Sequence, residues 1–161
     1  MNWWKSKLIP LREMVTLTRR YKRAGKRVVF TNGCFDILHT GHLQIFYRCK
    51  QLGDILVVGL NSDKSVCRIK GPKRPVVPEL DRAKMLAALT PVDHVVVYNE
   101  DTPEKVIRAL VPDILVKGGD WKYNDIIGHD IAGETVRIKV IAGKSTTGII
   151  KKILNAYGKK K

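Results

Sequence analysis

VVFTNGCFDILHTGH, Val28–His42, is the stretch whose reading decides the fold. It opens with three apolar residues, Val28–Phe30, which read as a short buried strand. Polar and glycine residues follow, and a helix then runs from Gly41 to Gln51, with Gly53 stopping it. His39 and His42 stand three apart at that helix start, so both imidazoles face the same way. Gly41 between them lets a ligand approach the backbone closely. The helix N-terminus adds unpaired N–H groups and a partial positive charge. Together these form a phosphate cradle at the end of a strand. Two satisfied core histidines at a helix entry are the plainer alternative; the pairing, the glycines and the strand-end position favour the cradle.

Working outward, the same alternation repeats. Residues 10–24 form an amphipathic helix through Leu11, Met14, Val15, Leu17 and Tyr21, closed by Gly25. Asp54–Asn61 is a second strand, apolar on both faces, as expected where helices cover each side. A proline-punctuated basic loop spans Ile69–Pro78. Next come a helix over Glu79–Leu89, strand three at His94–Val97, and a helix from Pro103. Strand four is Ile114–Val116, Asn124–Ala132 reads as a short helix, and Glu134–Ile141 as strand five. A last helix, Ser145–Tyr157, carries Ile149, Ile150, Ile153, Leu154 and Tyr157 as one stripe. Strands alternating with helices imply an α/β fold, a single Rossmann-like domain whose parallel β-sheet has helices on both faces. Such sheets bind ligands at the carboxyl ends of their strands, where the strand order reverses.

Composition narrows the class. At 161 residues the chain suits one domain, and 44% apolar residues exclude a disordered polymer. No apolar run approaches the ~20 residues of a membrane span, and the N-terminus MNWWKSKLIP has no signal-peptide stretch. Cys34, Cys49 and Cys67 are odd in number and match no zinc spacing, which points to free thiols in a reducing cytoplasm. The net charge of +15 invites a nucleic-acid reading. Its distribution argues otherwise. Residues 1–27 hold nine basic residues and one acidic, and residues 137–161 hold eight basic and none acidic. The intervening body is within one charge of neutral. The expected organisation is a basic N-terminal helix and extension at 1–27, the α/β domain at 28–157 and a basic tail at 158–161. The basic ends read as solvated faces with no specific nucleic-acid partner.

Three further segments have chemistry of their own. Lys64, Arg68, Lys70, Lys73 and Arg74 crowd into eleven residues that end in the proline loop, a solvated basic segment or a closure over a triphosphate. In KGGDW, Lys117–Trp121, the glycines permit close backbone approach, Asp120 offers an acceptor for a ribose hydroxyl, and Trp121 an aromatic face for a base. In KSTTG, Lys144–Gly148, Ser145 is a good N-cap, and Ser145, Thr146 and Thr147 bring hydroxyls to a second helix N-terminus.

These motifs carry a resemblance. TNGCFDILHTGH resembles the H-x-G-H signature of the nucleotidylyltransferase superfamily. More narrowly, FTNGCFDILHTGH, GDILVVGLNSDKSV, IKGPKRPVVP, DRAKMLAAL, VDHVVVYNEDTPE, DILVKGGDW and KSTTGIIKKI look like the adenylyltransferase domain of bacterial ADP-heptose synthases. The resemblance implies His39, His42, Lys70 and Arg82 as the catalytic set. It implies nucleotide contacts from Asn32, Gly33, Cys34, Phe35, Gly41, Asn61, Asp63, Lys117, Gly118, Gly119, Asp120, Trp121, Ser145, Thr146 and Thr147. It implies no protein-held metal site, with Mg²⁺ arriving on ATP. The implied reaction is AMP transfer from ATP to a sugar 1-phosphate, foremost D-glycero-β-D-manno-heptose 1-phosphate, for lipopolysaccharide core synthesis. ATP, that sugar phosphate and a second copy in a homodimer are the expected partners. Related cytidylyltransferases carry an arginine five residues before the serine, where Val140 stands here, which disfavours CTP. Cytidylyl transfer to glycerol 3-phosphate is the runner-up, and a basic nucleic-acid-binding module is the alternative from another class.

Overall fold

Strand β1, Val28–Gly33, lies at the centre of a five-stranded sheet in the computed structural model, which describes residues 2–119, 121–139 and 143–158. Beside it run β2 (Ile55–Asn61), β3 (His94–Tyr98), β4 (Ile114–Gly118) and β5 (Glu134–Ile138), in the order β3-β2-β1-β4-β5. Every pairing is parallel. The helices are α1 (Leu11–Arg23), α2 (Thr40–Leu52), α3 (Asp63–Lys70), α4 (Glu79–Ala88), α5 (Glu104–Leu110) and α6 (Thr146–Tyr157).

Alternation along the strands builds two apolar layers. Val29, Leu56, Val58, Leu60 and Val95 face Ile45, Phe46 and Cys49 of α2 and Ala83 and Leu86 of α4. Val28, Phe30, Val57, Val96 and Leu115 face Met14 of α1 and Val106, Ile107 and Leu110 of α5. Helices therefore cover both faces, which is why the central strands are continuously apolar. Met14 is fully buried, so α1 packs into the same core as the sheet. Ahead of it, Leu8 bridges Val95, with Ile9 N–H donating to the Val95 carbonyl at 3.0 Å and Val95 N–H to that of Lys7 at 2.8 Å. This contact covers the open edge of β3.

Two local expectations are corrected. Residues 124–132 do not form a helix. Only a three-residue 3-10 turn at Tyr123–Asp125 appears, followed by turns around Gly128, whose φ of +88° suits glycine. A side chain at Gly128 would also sit 2.8 Å from Ile107. Conversely, the basic segment after β2 begins as helix α3, because Ser62 accepts from Ser65 N–H and caps it. Strand β5 ends at Ile138; the last two residues expected in it, Val140 and Ile141, lie outside the described residues, as do Asp120 and Ala142. Among the described residues, no helix is long and apolar enough to cross a membrane.

Candidate active site

The strand order reverses between β1 and β4, and a cavity of about 530 Å³ opens at the carboxyl ends of the strands there. It is bounded by the segment after β1, by Lys117 and Gly118 of β4, by Lys70 and Arg74 of the basic segment, and by Lys144–Thr147 at the start of α6.

His39 caps α2 and His42 lies in its first turn, with His42 N–H donating to the His39 carbonyl at 2.9 Å. The two rings stack at 3.7 Å between centroids and 20° between planes. Gly41 makes this stack fit: a Cβ there would lie 3.0 Å from Nδ1 of His39 and 3.4 Å from Cβ of Lys144. Phe35 edges onto His42 at 5.2 Å and shields its ring. Burial, reinforced by His39 alongside, pulls the His42 imidazolium down to about 4; burial and then Lys144 lower His39 in the same direction. Both rings are therefore neutral near pH 7, and each has a buried Nδ1 without a partner among the described residues. Both residues line the cavity, and a buried ring nitrogen left without a partner is a departure that calls for an explanation.

A hydrogen-bond chain runs across four strand ends. Lys117 Nζ donates to Asn32 Oδ1 at 3.3 Å, Asn32 Nδ2 to the Tyr98 hydroxyl at 3.1 Å, and that hydroxyl to Asn61 Oδ1 at 2.9 Å. Asn61 Nδ2 then donates to Ser65 Oγ at 2.9 Å. Burial pushes the Tyr98 phenol up to about 12, so it stays a donor, and burial pulls Lys117 below the usual ammonium range. Lys117 also lies 5.4 Å from the centre of the Trp121 ring. At the opposite wall, Ser145 caps α6 by accepting from Gly148 N–H at 3.0 Å. Thr146 Oγ1 donates to the Ile37 carbonyl at 3.3 Å.

Most of the expected residues line this cavity: Asn32, Cys34, His39, His42, Asn61 and Lys70, the glycines 33, 41 and 118, Phe35, Lys117, Trp121 and the Ser145–Thr147 hydroxyls. Three of the expected residues do not line it. Arg82, expected at the phosphates, is fully buried beneath the site. Its Nε donates to the Val77 carbonyl at 2.9 Å, one terminal nitrogen to the carbonyls of Cys34 at 2.6 Å and Asn61 at 2.9 Å, and the other to Asp63 at 2.7 Å. A guanidinium so occupied acts as a brace. Asp63 is that brace's carboxylate partner, and neither it nor Gly119 is among the residues lining the cavity. Asp120 lies outside the described residues. The sequence did not single out Tyr98, Asp36 or Lys144 as site residues, and it offered Arg74 only as one of five clustered cations. Lys144 was visible as the residue before the Ser-Thr-Thr cap. Tyr98 and Asp36 carry no local signal, because their roles depend on partners 37 and about 40 residues away.

A cytidylyltransferase-like family model matches residues 30–152 of the chain. The chain belongs to the cytidylyltransferase-like family. It is a nucleotidyltransferase, and the cavity at the strand reversal is its candidate nucleotidyl-transfer site. Among curated relatives, the bifunctional protein HldE of Helicobacter pylori (strain J99) is 52% identical over 157 residues, covering 98% of this chain and 33% of that protein. The bifunctional protein HldE of a Nitratiruptor species is 51% identical over 141 residues, covering 88% of this chain and 30% of that protein. The chain thus spans about a third of the length of these curated relatives. Among solved structures, the lipopolysaccharide core biosynthesis protein from Thermoplasma volcanium superposes with a TM-score of 0.62 at 32% identity, over 73% of this chain and 99% of that one.

Proposed function

We propose that this nucleotidyltransferase moves AMP from ATP to D-glycero-β-D-manno-heptose 1-phosphate, giving ADP-heptose and pyrophosphate for lipopolysaccharide core synthesis. The observation that carries this reading is the convergence of the stacked His39–His42 pair, Lys70, Lys117 and the α6 N-terminus on one cavity. The substrate pair follows from the motif resemblance, and from the identity of about 50% to proteins named bifunctional HldE.

In this mechanism a sugar-phosphate oxygen attacks the α-phosphorus in line. The bond from that phosphorus to the bridging oxygen breaks, and pyrophosphate leaves with the electron pair. A phosphate nucleophile is already deprotonated near neutral pH, so positioning and charge neutralisation carry the rate. Neutral His39 and His42 offer N–H donors to the phosphate oxygens without charge repulsion between the rings. Lys70 and Lys144 supply positive charge, and neither enters an ion pair among the described residues. The α6 N-terminus and its hydroxyls take the outer phosphates.

Mg²⁺ fits this donor set as a passenger on the triphosphate. Among the described residues, the two carboxylates lining the cavity are already engaged, Asp36 by Arg74 and Asp101 by Arg68. No group of three potential metal ligands occurs among the described residues. Mg²⁺ keeps waters and substrate oxygens as ligands and neutralises polyphosphate charge when bound. The free thiols Cys34, Cys49 and Cys67 suit a cytoplasmic location.

Parallel assays with ATP and CTP, heptose 1-phosphate as acceptor and pyrophosphate as readout, test the reading. ATP is expected to win by at least tenfold in kcat/KM, a difference of only ~1.4 kcal/mol. Preference for CTP, or for glycerol 3-phosphate as acceptor, overturns it.

A further inference from the structure

Residues 71–78 present Arg74 to the cavity and follow directly on Lys70, yet none of them belongs to either apolar core, and Val76 is exposed. What ties this loop down is polar. The carboxylate of Asp36, only 2% exposed, spends both oxygens on it. Oδ1 accepts from Val76 N–H at 2.8 Å and Val77 N–H at 2.9 Å, and Oδ2 accepts from Nε of Arg74. Arg82 adds one bond from below, to the Val77 carbonyl at 2.9 Å. A buried carboxylate costs free energy unless it is fully paired, and all three bonds of Asp36 go to this loop. Burial alone would raise its carboxyl, but the amides of Val77 and Val76 and the Arg74 guanidinium together hold it below the usual range. Asp36 also stands three residues before His39, on the segment that carries the phosphate-facing imidazoles.

We infer that Asp36 is a positioning residue: it latches the 71–78 loop through Arg74, Val76 and Val77 and so holds Lys70 over the cavity. The inference rests on the nucleotidyl-transfer reading of the cavity, but the latch itself exists without substrate. When a loop is competent for only a fraction of the time, apparent affinity falls by that fraction, while the bound complex still reacts at its ordinary rate. The latch therefore acts on KM for the nucleotide more than on kcat.

Asp36→Asn is the discriminating variant. It keeps an oxygen for the two amides but turns an N–H donor toward Arg74. Trypsin nicking of the ligand-free protein after Lys70 and Lys73 is expected to quicken at least tenfold. Other cleavage sites should stay put, and the melting temperature should fall only by what the loss of one buried ion pair costs. KM for ATP should rise about tenfold, with kcat within threefold of wild type. Arg74→Ala should reproduce the nicking, and adding Asp36→Asn to it should quicken the nicking no further. Unchanged nicking overturns the latch, as does nicking that rises everywhere with a lower melting temperature, which marks a purely structural carboxylate. A fall in kcat at constant KM overturns it too. If wild-type protein transfers no adenylyl group, the proposed reaction fails while the nicking still reports on the latch.

Discussion

Two helices aim their N-termini into one cavity, and they are anchored in opposite ways. α2 buries Gly41, Ile45, Phe46 and Cys49 against the sheet. α6 buries nothing; Ile149 and Ile150 are half-covered, and Ile153, Leu154 and Tyr157 are exposed. Its ties at the cavity end are the Ser145 cap and the Thr146 bond to Ile37. An anion site fixed by a core is ready before the ligand arrives. One held by a cap and a single hydroxyl has fewer fixed contacts, and any tightening it undergoes on binding is subtracted from affinity. The difference suggests a division of labour, with α2 serving the transition state and α6 serving binding.

The largest expected effect breaks the α2 side. His42→Ala removes one preorganised donor to developing charge, worth ~3–4 kcal/mol or on the order of 10²–10³ in kcat. Circular dichroism and thermal melting check that the sheet survives, and initial rates of pyrophosphate release read the loss. Near-wild-type turnover would mean that the α2 cradle does not serve the transition state.

This asymmetry also separates what the sequence disclosed from what it concealed. The buried strands and α2 were legible because apolar runs and glycine stops are local signals, and the histidine spacing placed two rings on one face. α6 was legible as a helix, since Ser145 and its stripe are local too, but its lack of buried residues is a property of the whole fold. Arg82 shows the same limit. Its place in ELDRAKML suits a surface charge or a phosphate ligand equally well, and only the folded chain brings Cys34, Asn61 and Asp63 to its nitrogens. Asp36 likewise has no partner within reach until the 71–78 loop folds over it. The helix expected at 124–132 fails for a related reason: local polarity says nothing of the clash with Ile107 that Gly128 avoids.

An intermediate effect sharpens the contrast through pH. His42 binds its proton near pH 4 in the folded chain, because burial and the neighbouring His39 disfavour the cation. In the unfolded chain it does so near the ordinary imidazole value of 6.5. Between those values the unfolded state holds more protons, so stability falls as pH falls from 6.5 towards 4. The His42 share of that loss is about 3 kcal/mol. His39 and His94 are lowered as well and add to the slope. Asp36 acts in a lower window, since its depressed carboxyl contributes stability that is lost only below the ordinary aspartate value of 3.8. Denaturant melts of wild type and His42→Asn across pH 4–7 read the difference. The two curves should converge near pH 4 relative to their gap at pH 7, and a constant gap would place His42 in open solvent.

The smallest expected effect tests the α6 side. Ser145→Ala deletes the cap on Gly148 N–H and costs the helix ~1 kcal/mol. Because α6 shares no buried residue with the core, that cost should stay local and leave the melting temperature almost unchanged. It should surface instead when ATP orders the helix, as a rise in KM of about fivefold with kcat nearly constant. Ser145→Asn distinguishes capping from a direct hydroxyl contact, since asparagine caps as well as serine but carries no hydroxyl. Recovery of KM in the asparagine variant assigns the effect to the cap. A loss in both variants assigns it to the hydroxyl on the phosphates. A drop in melting temperature as large as the loss in binding would show α6 to be part of the cooperative core, and the contrast between the two helices would fail.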